Sequence, residues 1–190
     1  MERNIKKKWA VGAFAFFWMW VLSLSALCQA ASINEVGVKG TQGVWKVSFF
    51  VANCFTDKMD EAIQSGMKIA FTFYLQLYQK RKLLKDRKLA SLEFRHAIRF
   101  DPIRGEYLVT FGESQSSRVT ANLEEAKRWM AKVEDVEIRS PSPLKPGVSN
   151  ELRIKAELDP VKLPFHLEYL FFFVSLWDFE TKWHVEPLRS

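Results

Sequence analysis

Ile69-Ala70-Phe71-Thr72-Phe73-Tyr74-Leu75-Gln76-Leu77-Tyr78 is the stretch on which the fold turns. Ile69, Phe71, Phe73, Leu75 and Leu77 alternate with Ala70, Thr72, Tyr74, Gln76 and Tyr78. A helix starting at Ile69 would put Thr72 and Gln76 on its apolar face, so a period of two fits and a period of 3.6 does not. Full burial of such side chains is worth about 1.5–3 kcal/mol each. The strand therefore needs a second layer to pack on.

Alternation resumes downstream. Leu92, Phe94, His96, Ile98 and Phe100 face one side, and Ser91, Glu93, Arg95, Ala97 and Arg99 the other. Asp101-Pro102-Ile103-Arg104-Gly105 has the chemistry of a turn, and Tyr107, Val109 and Phe111 begin a third strand. Residues 67–112 read as a three-stranded antiparallel meander. Its first connection is a basic tip, with Lys80, Arg81, Lys82, Lys85, Arg87 and Lys88 against Asp86 alone.

Upstream, Ile33, Val36 and Val38, a turn at 39–43 and a β-branched and aromatic run at 44–51 predict a hairpin. Thr56 or Asp57 can cap a short helix with Met59, Ala62 and Ile63 on one face and Gly66 at its end. Downstream, Asn122 with Glu125 three positions on is a capping-box pattern. Leu123, Ala126, Met130 and Val133 follow at helical spacing, with Trp129 beside them. A short strand near 136–138, a Pro-containing loop, and a strand carrying Leu152, Ile154, Ala156 and Leu158 come next.

The carboxyl end is dense in aromatics: Phe165, Tyr169, Phe171, Phe172, Phe173, Trp177, Phe179 and Trp183. Its uninterrupted apolar run, 169–174, is far short of the roughly 20 residues that span a bilayer. It reads as a short helix or extended cover, then a last strand near 179–185. The expected fold is mostly β: an antiparallel β-sandwich or half-barrel with two or three short helices, after an N-terminal signal or anchor helix.

That N-terminal segment sets the compartment. Arg3, Lys6, Lys7 and Lys8 precede a stretch with no charge from Trp9 to Asn34. Basic start, apolar middle and small-residue end are the parts of a secretory signal, with Cys28 and Ala30 at −3 and −1 and Ala31 as the mature start. The apolar part, 9–27, has 19 residues. It reaches about 28 Å as a helix, close to a bilayer core, so an uncleaved anchor is the alternative. Large Leu27 argues against lipid attachment at Cys28. The expected organisation is 1–30 as signal peptide or membrane anchor and 31–190 as an exported β-rich domain. That places the protein in the periplasm, soluble after cleavage or tethered to the inner membrane by residues 9–27.

The chain has 190 residues and a net charge of +6, but residues 1–30 hold four basic groups against Glu2. The rest keeps 24 of the 28 basic and 21 of the 22 acidic residues. The sequence pI of about 9.3 is therefore no argument for nucleic-acid binding. Cys54 stands alone once Cys28 leaves, and its neighbours Val51, Ala52 and Phe55 suggest a small buried side chain. His96, His166 and His184 lack zinc-like spacing, and no phosphate loop or nucleophile elbow is present. The expectation is no enzyme activity, no cofactor and no metal. His96, between Phe94 and Ile98, reads as a partly buried, hydrogen-bonded sheet residue.

Two segments carry the interaction expectations. The tip residues Lys80, Arg81, Lys82, Lys85, Arg87 and Lys88 suit anionic headgroups or an acidic protein patch. Trp177 and Trp183 belong to an aromatic segment suited to a membrane interface or a partner surface.

Glu61-Ala62-Ile63-Gln64-Ser65-Gly66 resembles part of an uncharacterised family of exported bacterial proteins, domain of unknown function number 4390. So do Leu152-Arg153-Ile154-Lys155-Ala156-Glu157-Leu158, Val161-Lys162-Leu163-Pro164 and above all Phe172-Phe173-Val174-Ser175-Leu176-Trp177-Asp178-Phe179-Glu180-Thr181-Lys182-Trp183. The resemblance covers nearly all of the exported chain. It implies export, a compact β-rich domain and a proteobacterial-type envelope, and it carries over no catalytic residue. By association it also implies a signalling partner, a membrane sensor kinase of the nitrogen-regulation type. The resulting expectation is a non-enzymatic cell-envelope module that binds a protein partner. The alternative is a lipid-contacting envelope protein that uses the basic hairpin tip and the aromatic C-terminal segment.

Overall fold

The computed structural model describes residues 30–41, 43–81, 83–141, 148–159 and 179–188. Among them are nine strands and two helices, a mostly-β fold. A smaller sheet has the order β1-β2-β7, from β1 (Ser32–Thr41), β2 (Val44–Ala52) and β7 (Lys132–Arg139). The larger sheet has the order β6-β5-β4-β3-β8-β9. Its strands are β3 (Ile69–Gln79), β4 (Arg87–Asp101), β5 (Glu106–Phe111), β6 (Ser116–Thr120), β8 (Asn150–Leu158) and β9 (His184–Leu188). Every pairing is antiparallel. Neither sheet closes on itself among the described residues, so no closed barrel is formed there.

The alternating stretch lies near the middle of the larger sheet. β3 pairs with β4, Phe73 opposite Phe94, and with β8, Phe73 opposite Ala156. Its Ile69, Phe71, Phe73, Leu75 and Leu77 are all fully buried, in one cluster with Trp45, Val47 and Phe49 of β2. Phe49 meets Phe73 edge-on at 5.8 Å, joining the two sheets through a single apolar core.

α1 (Asp57–Gln64) is capped by Thr56, whose hydroxyl accepts from the Met59 amide at 3.3 Å, and it buries Met59, Ala62 and Ile63. Gly66 follows at φ +87°, the left-handed conformation that ends a helix without a Cβ penalty. In α2 (Leu123–Ala131) the Asn122 side chain accepts from the Glu125 amide at 3.1 Å. The reciprocal half of the capping box is replaced: Glu125 accepts from the Thr120 hydroxyl at 2.6 Å, and the Asn122 amide donates to that same hydroxyl oxygen. Asn122→Ala is expected to cost about 1 kcal/mol, read as a lower urea midpoint at unchanged m-value.

Several boundaries differ from the sequence expectation. α2 stops at Ala131, and Val133 belongs to β7, which begins without an intervening loop. β1 continues through Thr41, into the expected turn. Among the described residues the last strand is β9, His184–Leu188, rather than 179–185, and between Phe179 and Trp183 there is just an isolated bridge, Glu157 to Glu180. Pro187 fits β9, which lies at the edge of the larger sheet among the described residues. β6 was not foreseen, since Ser116–Thr120 is polar and almost wholly exposed and gives no alternation. The expected cover over 165–178 and the N-terminal signal or anchor lie outside the described residues. Among the described residues no helix is long and apolar enough to cross a membrane.

Cys54 is buried, and its thiol donates to the Val51 carbonyl at 3.2 Å. Burial pushes the thiol pKa up to about 12, so almost no thiolate exists at neutral pH. The Cys54 peptide is expected to stay unalkylated in the folded protein and to react only on unfolding, as peptide mapping after brief labelling will show.

Candidate functional site

Two of the clefts on the described surface gather charged and aromatic side chains. The larger, about 620 Å³, forms where strand pairing runs out. β5 accompanies β4 only from His96 to Asp101, so the β4 segment before it has no partner on that side among the described residues. At the crossover, the Gly112 amide donates to the Arg95 carbonyl at 2.7 Å. A Cβ on Gly112 would sit 2.8 Å from that carbonyl oxygen, so only glycine permits this approach. Opposite stands β7, paired only with β2 among the described residues. Leu92, Phe111 and Trp129 give the cleft its apolar lining, while Glu113, Arg118 and Asp135 add charge. Arg118 lies over the rings of Phe111 and Trp129 at 5.5 and 5.7 Å.

Behind this cleft sits His96, wholly buried and more enclosed than expected. Its Nδ1 is 2.9 Å from the Met130 carbonyl and its Nε2 is 3.0 Å from a Glu113 carboxylate oxygen. The carbonyl can only accept, so Nδ1 carries a hydrogen. Nε2 and the Glu113 carboxylate oxygen make the second close polar contact of the ring. Burial pushes the Glu113 carboxyl up, but the hydrogen bond and charge of His96 outweigh it and leave the group below its usual value. The ring is further held by Phe73 at 4.8 Å and Phe111 at 4.9 Å.

The second cleft, about 450 Å³, lies on the outer face of the larger sheet, lined by residues including Tyr78, Lys80, Arg153 and Trp183. Arg153 stacks over Tyr78 at 4.1 Å, and Lys155 lies over Tyr74 and Trp183 at 5.8 Å from each. The Tyr74 hydroxyl donates to Glu157 at 2.5 Å, and that bond to a carboxylate, with burial, raises its pKa to about 12. Most charges on this face are paired with one another.

The expected tip residues divide into three groups. Lys80 is pinned by Glu151 at 3.0 Å and Asp86 at 3.4 Å, and Arg153 takes the same two acids. Burial pushes Glu151 up, but Lys80 and Arg153 outweigh it and hold the carboxyl low. Arg81, Lys85 and Arg87 are exposed with no acidic partner among the described residues, and Lys88 lies 5.9 Å from the Tyr78 ring centre. Lys82 lies outside the described residues. So does Trp177, while Trp183 shares the second cleft with Lys80. Ala30 is exposed and Ala31 packs against the core just before β1.

The sequence reading missed Leu83 and Leu84 at the tip, 96% and 68% exposed. Their signal was available, as two leucines inside a basic run. It also missed Glu113, Arg118 and Trp129 as cleft residues, which no local pattern marks. Among the described residues no group of three or more His, Cys, Asp or Glu side chains is arranged to hold a metal ion.

These features define a small two-sheet antiparallel β domain with two surface clefts. The chain belongs to the family described as a domain of unknown function, DUF4390, which its residues 28–186 match. No curated protein and no solved structure matches it.

Proposed function

We propose that the protein is an exported, non-enzymatic module of the cell envelope that works by binding a protein partner, with the larger cleft as the seat. In this reading the two sheets are the layers of a sandwich, and the cleft is a gap in its wall. The observation that carries it is the edge of β4 ahead of His96, unpaired among the described residues, facing the equally unpaired edge of β7 across an apolar-floored gap. An unpaired strand edge offers amide and carbonyl groups to an extended segment of another chain. The apolar side chains of Leu92 and Phe111 in the cleft lining supply side-chain specificity. An inner-membrane sensor kinase is the partner that the family association suggests.

Export is supported by the order of basic, apolar and small residues at the amino end. The location proposed is the periplasm, either free after a cut between Ala30 and Ala31 or tethered by residues 9–27. A photo-crosslinking amino acid at Ser91, on the bare part of β4, tests the binding reading in intact cells. The same probe at Arg99, where β4 is paired with β5, is the control. One stoichiometric adduct at position 91, absent at 99, is expected. No adduct at 91, or equal adducts at both, would remove the cleft as a partner site.

A further inference from the structure

We propose that the β3–β4 tip is a membrane-docking element that sets Leu83 and Leu84 into the surface of an anionic phospholipid bilayer. Single exposed apolar residues are ordinary on protein surfaces. Two adjacent leucines at a loop apex, 96% and 68% exposed, are a different case, because nothing in the described fold covers either one. Around them the charge is one-sided. The nearby acids, Asp86 and Glu151, are both held by Lys80 and Arg153. Arg81, Lys85, Arg87 and Lys88 are left with no acidic partner among the described residues.

Cations flanking an apolar apex match the two layers that a protein meets at an anionic membrane, headgroup phosphates outside and acyl chains within. An acidic protein patch would satisfy the cations but give the leucines no apolar volume to enter. Leucine is also under-represented among the residues that anchor protein interfaces. The base of the tip is held before any contact is made. The Lys80 amide donates to the Ser149 carbonyl at 2.9 Å, and the Lys80 ammonium is clamped by its two carboxylates. Docking therefore orders little backbone. The exposed apolar residue of the β4–β5 turn, Ile103 at 94% exposure, stands at the far end of the 15-residue β4, about 45 Å away at strand rise. One docked tip would leave that end clear of the lipid. This inference uses a surface separate from the larger cleft and stands whether or not a partner binds there.

The test uses the full chain with Cys28→Ser, so that an attached dye reports only its own site. An environment-sensitive fluorophore is placed at Leu84→Cys, or at Ile103→Cys as control, and Cys54 stays buried and unlabelled. Emission is read without vesicles, with phosphatidylcholine vesicles, and with vesicles containing phosphatidylglycerol and brominated acyl chains. The expected result is a blue shift and bromine quenching at position 84 on the anionic vesicles, with no change at position 103. The shift should shrink when salt is raised to about 1 M, where the Debye length falls to about 3 Å. It should also be lost in the Arg81→Ser/Lys85→Ser background, whose thermal midpoint should match the parent's. An unshifted dye at 84 on anionic vesicles, or equal shifts at 84 and 103, overturns the proposal. So does an equal response to neutral vesicles, because residues 9–27 alone could then bring the chain to the lipid.

Discussion

Phe73→Ala is expected to lower the free energy of unfolding by about 3–5 kcal/mol, the range for removing a fully buried aromatic ring. The ring has no solvent exposure and touches Phe49 at 5.8 Å, Phe94 at 5.3 Å and His96 at 4.8 Å. Those neighbours come from both sheets, so no single element can move in to fill the space. Urea unfolding followed by circular dichroism measures the change as a lower midpoint at constant slope. A loss under about 1 kcal/mol, less than a buried methylene or two, would mean that the two sheets do not share a core at this point.

Glu113→Leu is expected to cost about 1–3 kcal/mol at neutral pH, the penalty for leaving a buried polar group without its partner. His96 is fully buried, and among the described residues its Nε2 has only the Glu113 carboxylate to bond. Glu113→Gln keeps a bonding group in place and should lose less. The pH dependence carries a definite sign. Folded Glu113 sits below its ordinary value of 4.5, so the unfolded chain binds the proton more tightly. The stabilisation is complete above that value and falls away as pH drops through 4.5 toward the folded pKa. The parent should therefore lose stability on the acid side faster than Glu113→Leu. Parallel acid limbs in the two profiles would show that the His96 contact does not set this carboxylate's titration.

Much of the fold was legible in the sequence because its strands bury one face each. Ile69 through Leu77 and Leu152 through Leu158 alternate cleanly, and both appear as central strands with those side chains inside. Asn122 and Thr56 were readable as caps because a cap needs only a local side-chain oxygen. β6 was not readable, since Ser116–Thr120 buries no face and owes its extended form to β5 beside it. The larger cleft was less readable still. It arises because β5 stops short of β4's first half, a matter of relative strand length that no local pattern records. The Glu113 contact depends on a turn delivering one carboxylate to a ring 17 positions away in sequence. His96 showed only that it faces inward. The tip divided the other way. Its charge was plain in the sequence, but which cation would be tied to Glu151 depended on β8 arriving alongside.

That arrival sets the order of assembly. β3 lies between β4, its close neighbour in the chain, and β8, whose Leu158 stands opposite Phe71. A polypeptide threaded out from its amino end delivers the hairpin early and the strand that completes the middle of the sheet late. Until then one flank of the most apolar ribbon stays bare, and truncation before residue 150 would leave it so permanently. Such fragments should be the ones that holding chaperones and quality-control proteases meet.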